Sequence, residues 1–112
     1  RDDEEIVLTA VKSSGFALQY ASKRLRGNLD IVLEAIKKEP FALEFASEEW
    51  KNDKDVVMVA VQLDGRALQF ASEELIDDVD VVQTAINENY YALRYASERL
   101  RKELEPEEEK EV

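Results

Sequence analysis

The acid pairs Asp53 with Asp55 and Asp78 with Asp80 are the first candidates for chemistry in this 112-residue chain. Carboxylates two residues apart resemble the first two ligands of a calcium-binding loop. Such a loop also needs a glycine at its sharp turn and further oxygen ligands downstream, whereas valines occupy the downstream positions here. We therefore interpret the acids as helix caps and partners of the helix dipole, and we predict no metal-binding residues.

Four serines recur at one spacing and form a second candidate for chemistry: Ser22, Ser47, Ser72 and Ser97. A row of hydroxyls could serve catalysis or phosphorylation. The chain has no His and no Cys, however, so a Ser-His or Cys-His pair cannot form. We favour a structural role, in which a small residue at a helix crossing bonds the carbonyl four residues before it. We expect a protein that is not an enzyme, with no catalytic and no cofactor-binding residues, and no cofactor.

These serines end a hexamer that returns every 25 residues without insertion or deletion. It reads ALQYAS at residues 17–22, ALEFAS at 42–47, ALQFAS at 67–72 and ALRYAS at 92–97. The sequence therefore predicts a single domain, residues 1–105, of four repeats at about 3–27, 28–52, 53–77 and 78–102. After it comes an acidic segment, 106–112, in which Pro106 and charges replace the apolar pattern; we expect this tail to be disordered.

Helical spacing runs through both halves of every repeat. Apolar residues fall at i, i+1, i+4 and i+5 in the first half and at i, i+1, i+4 and i+8 in the second. N-cap residues precede each first helix: Asp3, Asn28, Asp53 and Asp78. Ser14, Asp64 and Asn89 hold the cap site of the second helix, where Glu39 is a poor cap followed by Pro40. The pattern predicts two helices of about ten residues per repeat.

The fold class that follows is all-α: an α-solenoid of four tandem helical hairpins, with about eight short helices. Helices of this length are marginal alone, so each repeat must be stabilised by its neighbours. Within the hexamer we expect the alanines to allow close helix contact and Leu18 to fill the hairpin. The aromatic at Tyr20 should reach the next repeat, and Gln19 should point outward.

The repeat unit resembles the family catalogued as domain of unknown function 4116. The resemblance covers residues 3–100, and the segment A-L-x-[YF]-A-S-x-x-L is its most specific part. Departures are Pro40 and Tyr90 at the Gly15 position, Trp50 at the Leu25 position and Gln83 at the Leu8 position. The resemblance implies a helical tandem array, often a module within larger proteins, and it supplies no activity.

Composition excludes several partner classes. The formal net charge of -11 disfavours nucleic acid and anionic membrane surfaces, and there is no cluster of Lys and Arg to offset it. An acidic exterior favours a basic protein or peptide as partner. No apolar run approaches the roughly 18 residues of a membrane span. A cytoplasmic setting is the default expectation, unless a targeting segment preceded Arg1.

One column of residues stands out because its aromatic members are not part of the repeat consensus: Phe16, Phe41 and Tyr91, with Arg66 as the exception. We call this column the ridge, since side chains repeated every 25 residues would line up along the array. The ridge either fills the joints between repeats, which we favour, or binds a partner. Together with Tyr90, its four members are our candidate partner-binding residues.

The sequence predicts a non-enzymatic module for protein–protein interaction or scaffolding. The alternative is a structural spacer or a homo-oligomerisation element. Self-association would then use the first repeat, where Ile6, Val7 and Leu8 follow the apolar pattern with no polar capping version of it.

Overall fold

A computed structural model of the chain describes residues 2–106. Within that range the regular elements are seven α-helices and five 3₁₀-helices. In chain order they are α1 (Glu4–Ser13), η1 (Gly15–Tyr20), α2 (Lys23–Arg26), α3 (Leu29–Lys38), η2 (Pro40–Phe45), α4 (Glu48–Lys51), α5 (Lys54–Leu63), η3 (Gly65–Phe70), η4 (Leu75–Asp77), α6 (Val79–Glu88), η5 (Tyr90–Tyr95) and α7 (Glu98–Leu104). The all-α repeat fold is confirmed. The predicted disordered tail lies, except for Pro106, outside the described residues.

Each repeat begins with a ten-residue α-helix, as its apolar spacing predicts: α1, α3, α5 and α6. The predicted N-caps are confirmed, because a side-chain oxygen accepts a hydrogen bond from the backbone N–H three residues on. The distances are 3.0 Å for Asp3, 3.1 Å for Asn28, 3.1 Å for Asp53 and 3.2 Å for Asp78. Each cap satisfies one N–H that the first turn leaves without an intrahelical partner.

The predicted second helix of about ten residues is wrong, because the chain divides it in two. A six-residue 3₁₀-helix comes first, and a separate short helix follows. Between them Ala21 and Ser22 are extended, with ψ of 157° and 162°. In this conformation the Ser22 side chain accepts from the N–H of Leu25 and starts α2 as its N-cap. The third repeat follows the same plan, except that its short piece, η4, is a 3₁₀-helix.

The caps of the 3₁₀-helices also differ from the prediction at two positions. Glu39, expected to be a poor cap, accepts from the N–H of Phe41 at 3.3 Å. Asp64 and Asn89 make the same bond to the residue two positions on, at 3.0 Å and 2.9 Å. Ser14 makes no side-chain cap bond. The three side chains that make this bond, Glu39, Asp64 and Asn89, are all longer than that of Ser14.

The repeats stack into an elongated array with principal extents of 54 × 22 × 19 Å. The ten-residue helices pack side by side in one layer, and the six-residue 3₁₀-helices pack side by side in a second. Between the layers runs one continuous apolar core made of the repeated Val, Ile, Leu and Ala columns. A repeat thus buries its apolar surface mostly against its neighbours, as in other solenoids.

Candidate interaction surfaces

The repeated serines join each repeat to the one before it. The backbone N–H of Ser47, Ser72 and Ser97 donates to a carbonyl in the last turn of the preceding repeat, at 3.0, 3.0 and 2.8 Å. The expected bond to the serine's own i−4 carbonyl is wrong. The hydroxyls donate instead to a side chain in the last position of the preceding repeat: Ser72 to Asn52 at 2.5 Å, and Ser97 to Asp77 at 2.6 Å.

The joint at Ser97 carries a charged network, and the same network occurs at the start of the first repeat. Asp77 accepts from the Ser97 hydroxyl and from Arg99 Nε at 3.1 Å. Asp2 accepts in the same way from Ser22, at 2.6 Å, and from Arg24, at 3.0 Å. The pKa of both carboxyl groups is lowered, mainly by the hydrogen bond from the serine hydroxyl and next by the hydrogen bond from the arginine. They stay ionised at neutral pH and cannot act as general acids.

The acid pairs considered for calcium are engaged in structural contacts. Asp53 and Asp78 cap helices, and Lys54 Nζ lies 3.1 Å from Asp78 Oδ2 and 3.1 Å from Asp80 Oδ2. The hydrogen bonds that the Lys54 ammonium group donates to Asp80 and Asp78 raise the pKa of Lys54, so this group remains charged. Among residues 2–106, no group of three or more His, Cys, Asp or Glu is arranged to hold a metal ion.

The centre of the ridge is a joint between the second and third repeats. The Phe41 ring meets Phe70 edge-on, with 5.4 Å between centroids, and the Arg66 guanidinium lies over the same ring at 5.4 Å. Arg66 is held in place by Asp64, whose Oδ2 lies 2.7 Å from Arg66 Nη2. The aromatic of the hexamer therefore reaches the preceding repeat, and the expectation that it reaches the next one is wrong.

The two ends of the ridge are open. Phe16 is partly exposed and Tyr91 is 67% exposed, with Arg94 stacked over its ring at 5.2 Å. The other candidate, Tyr90, is 49% exposed. These two tyrosines border a groove of about 470 Å³ at the C-terminal end, whose remaining lining is Leu93, Arg94, Glu98, Arg101, Lys102 and Glu105. The structure thus separates the five candidates into a packed centre and exposed ends.

A second open surface lies at the other end of the array. We call it the N-terminal face; it lines an open groove of about 420 Å³ and consists of Ile6, Val7, Ala10, Ala17, Tyr20 and Ala21. Ile6 is 58% exposed, whereas Ile31 in the same column is 1% exposed. Ala10 is likewise exposed, and Ala35, Ala60 and Ala85 are fully buried. The face has the composition of an interior joint but lies open.

The apolar start of the first repeat signalled this face in the sequence: Ile6 and Val7 lie on it, whereas the third predicted residue, Leu8, does not. Leu8 is not on the N-terminal face; it lines a groove with Leu33 on the side of α1 that meets the second repeat. Tyr20 is on the face and is 70% exposed. The hexamer pattern assigned it to packing, which is correct for Phe45, Phe70 and Tyr95, each partly buried.

Comparison with protein families finds one match, to the domain of unknown function DUF4116, at residues 3–51, 28–76 and 53–101. Together the matches cover nearly all of the described chain. The chain belongs to the DUF4116 family. Each match spans almost two of the 25-residue repeats, so the family unit is a pair of repeats, and successive matches step along the array by one repeat. Comparisons with curated proteins and with solved structures found no significant match.

The last DUF4116 repeat departs from the others on its outer side. Gln83 replaces the Leu or Met of its column, is exposed, and donates to Asn87 Oδ1 at 3.0 Å. Tyr90 replaces the Gly or Pro of its column. The C-terminal end therefore carries a polar side chain at the position of Leu8, and a bulky one where the first and third repeats have a glycine close to the next long helix. The two ends of the array are chemically different.

Among the described residues of this DUF4116 array, no helix has the length and apolar character needed to cross a bilayer.

Proposed function

We propose that the chain is a non-enzymatic helical-repeat module that binds another protein through its N-terminal face. The observation that supports this role is the contrast within one column, where Ile6 is 58% exposed and its counterparts are 0–4% exposed. Large apolar side chains gain about 1.5–3 kcal/mol each on full burial, so covering this face is favourable. Exposed apolar surface of this kind commonly marks an interaction site.

The charge around the face suggests the chemistry of the partner. Asp2, Asp3, Glu4 and Glu5 lie at the start of α1 beside Ile6, and the whole chain has a net charge of -11. A protein that presents an apolar patch with basic flanks fits this surface. Its association rate should fall as salt screens the attraction, since the acidic field extends only about 8–10 Å at physiological ionic strength.

A second candidate surface is the C-terminal groove. The exposure of Tyr90 and Tyr91 supports it, since both rings stand open beside Arg94 and Arg101. Aromatic and arginine side chains are enriched in the centres of protein interfaces. If neither this groove nor the N-terminal face binds a protein, the role that remains is a structural spacer.

The non-enzymatic part of the proposal has two supports. The sequence contains neither His nor Cys. The repeated serines form caps or joints between repeats, and three of the four acids first considered for chemistry, Asp53, Asp78 and Asp80, form caps or ion pairs. Residues in such roles are positioned by packing and are not available for proton transfer.

Affinity capture on three immobilised variants tests the proposal. Ile6→Glu changes the N-terminal face, Tyr91→Ala changes the C-terminal groove, and Leu63→Glu is the control, because Leu63 is 50% exposed elsewhere. Each protein recovered with wild type is then purified and titrated directly. We expect a purified partner that binds wild type and the control alike and binds Ile6→Glu at least tenfold more weakly. The proposal fails if no purified partner distinguishes Ile6→Glu from the control.

A further inference from the structure

We infer that the joint between the first and second repeats binds a carboxylate group beside Gly27, with the hydroxyl of Ser47 donating a hydrogen bond to it. We call this place the Gly27 recess; it is formed by Gly27, the Ser47 hydroxyl and the carbonyl groups of Lys23 and Arg24. None of these residues belongs to the N-terminal face, so the inference goes beyond the proposed function and does not depend on it.

The other repeats show which group occupies this position. Each repeated serine donates its hydroxyl hydrogen to a side chain twenty residues before it, wherever that residue carries an oxygen acceptor. The distances are 2.6 Å from Ser22 to Asp2, 2.5 Å from Ser72 to Asn52 and 2.6 Å from Ser97 to Asp77. The second repeat has its serine, Ser47, but the residue twenty positions before it is Gly27. This joint therefore keeps the donor and has no side-chain acceptor for it.

Two buried donors of this joint have no hydrogen-bond acceptor among residues 2–106: Ser47 Oγ and Arg26 Nε. The backbone N–H of Ser47 donates to Arg26 O at 3.0 Å, so both residues belong to the same joint. Ser47 also makes no cap bond to α4. A buried donor that makes no hydrogen bond costs free energy, so a ligand oxygen that accepts from Ser47 is favoured.

Gly27 leaves space for such a group. A Cβ built there would meet its nearest atoms at ordinary packing distances, which are 3.4 Å to Arg24 O, 3.7 Å to Ser47 Oγ and 3.8 Å to Lys23 O. At Gly65 the same atom would overlap a backbone oxygen. The side chain of Asp77, which occupies the equivalent position two repeats on, is 44% exposed. A ligand can therefore enter the Gly27 recess from solvent without opening the joint.

Charge favours a carboxylate over a neutral amide as the ligand. The four residues of α2 include three cations, Lys23, Arg24 and Arg26. In the equivalent position Asp77 accepts from a serine hydroxyl and from an arginine Nε, which are the two donor types left without an acceptor here. A hydrogen bond with an ionised partner is roughly twice as strong as one between neutral groups.

Glu49 opposes this preference and provides a test of it. It stands in the position of Arg24 and Arg99, which donate to the carboxylates of Asp2 and Asp77. Its side chain is exposed, so water and salt weaken its repulsion of a bound carboxylate. We expect a dissociation constant of about 5–50 mM for a single small carboxylate. Glu49→Arg should tighten binding about tenfold, because it restores the arginine of the Asp77 network.

The single tryptophan of the chain reports binding directly, because Trp50 Nε1 donates to Gly27 O at 2.7 Å. The full chain is titrated with sodium formate, with sodium chloride keeping the ionic strength constant. The NMR signals of the Trp50 indole N–H and of the Gly27 and Ser47 amides should shift and reach saturation. Formamide, which has nearly the same size and no charge, should bind about fivefold more weakly. Shifts that do not saturate, or formamide binding as tight as that of formate, would overturn the inference.

Variants locate the binding site. Ser47→Ala removes the hydroxyl and should weaken formate binding about tenfold. Gly27→Asn places an acceptor of the chain's own in the recess and should abolish binding. Ser14→Ala is the matched control, because Ser14 is exposed and makes no cap bond; it should bind formate as wild type does. The NMR spectrum of each variant verifies its fold. Unchanged binding by Ser47→Ala, or no gain from Glu49→Arg, would contradict the assigned site.

A second ligand identifies the source of the carboxylate. N-acetyl-aspartate amide presents the carboxylate of an aspartate side chain between two peptide groups. Tighter binding of this ligand than of formate assigns the recess to an acidic side chain of another protein, and weaker binding assigns it to a free small carboxylate. Ile6→Glu should leave formate binding unchanged, so failure of the proposed function and failure of this inference are separate results.

Discussion

Gly15 and Gly65 lie where the stacked repeats leave no room for a side chain. A Cβ added at Gly15 would overlap the backbone oxygen of Ala35 and lie 2.8 Å from Glu39 Cβ; at Gly65 it would overlap the oxygen of Ala85. The obstacle is backbone of the next repeat, which can move only if the joint opens. We expect Gly15→Ala and Gly65→Ala each to lower the free energy of unfolding by about 1–3 kcal/mol.

Urea unfolding measures this loss, and Gly27→Ala is the matched control. A Cβ at Gly27 would have its nearest contact at 3.4 Å, from the Arg24 oxygen, which is ordinary packing distance. The Gly27 φ of -95° also suits any residue. Replacing a glycine there should be neutral or stabilise slightly. Equal losses at Gly65 and Gly27 would contradict the close-contact explanation.

Gly27 also leaves a serine without its usual partner. It stands in the column of Asn52 and Asp77, which accept hydrogen bonds from Ser72 and Ser97, and the buried Ser47 hydroxyl has no hydrogen-bond partner. Asn52 has nearly the backbone conformation of Gly27, with φ of -104°. We expect Gly27→Asn to raise the free energy of unfolding by about 0.5–1.5 kcal/mol. Comparison with Gly27→Ala isolates the hydrogen bond; no gain over alanine would refute it.

The lowered pKa of Asp77 should make the stability of the joint between the third and fourth repeats depend on pH. The Ser97 hydroxyl and Arg99 lower this pKa below the ordinary value of 3.8. A depressed pKa means that the ionised carboxylate stabilises the fold above about pH 4, and that this stabilisation is lost as pH falls through the folded-state value. We expect Asp77→Asn to be less stable than wild type at pH 7, with the difference shrinking in acid.

Thermal unfolding of both proteins between pH 7 and pH 3 measures this difference. The asparagine can still accept from Ser97, as Asn52 does from Ser72, so the comparison isolates the charge. A difference that stays constant down to pH 3 would show that the charge on Asp77 does not contribute.

At the scale of the element, the same serine substitution should have different effects in different repeats. Ser97 caps α7 by accepting from the N–H of Leu100 at 3.3 Å, and it also donates to Asp77. Ser47 makes no cap bond, although it precedes α4 in the same way. We expect Ser97→Ala to cost about 1–2 kcal/mol in unfolding free energy and Ser47→Ala to be neutral or mildly stabilising. Urea denaturation tests this, and similar costs at the two sites would contradict it.

The long helices could be predicted because their signals are local. An acid or amide such as Asp53 precedes apolar residues at helical spacing, and both the cap and the buried face lie within one short segment.

The division of the second helix could not be predicted in the same way. Leu18 and Leu25 are seven residues apart, which suits one continuous helix as well as two pieces. In the second, third and fourth repeats the extended pair before the short helix is stabilised by a bond to the preceding repeat, such as Ser47 N–H to Arg26 O. That bond is visible only once the repeats are stacked.

At the scale of the whole molecule, the candidate site was predicted only in part. Phe16, Phe41 and Tyr91 share one sequence column, but Phe41 packs against Phe70, whereas Phe16 and Tyr91 are 40% and 67% exposed. Tyr20 illustrates the same effect, because its pattern is that of a packed residue and its position at the end leaves it open. A shared position in the repeat predicts how a residue packs inside the array. The exposure of residues at the ends of the array depends on which repeats stack against them.

An added repeat should therefore complete the N-terminal face. A copy of residues 53–77 placed directly before Asp3 ends in Asp77, which takes the place of Asp2 and retains the partners of Ser22 and Arg24. The new joint repeats the one between the third and fourth repeats, where the aromatic residue is also a tyrosine, Tyr95. Burial of Ile6 and Tyr20 should raise the free energy of unfolding by about 2–5 kcal/mol.

Urea unfolding of the extended chain measures this gain, and Ile6→Glu within it is the control that should remove most of it. An extended chain with an unchanged unfolding midpoint would mean that the N-terminal face is not equivalent to an interior joint. In that case the proposed partner could not bind there by repeat-like stacking, so this measurement also tests the proposed function.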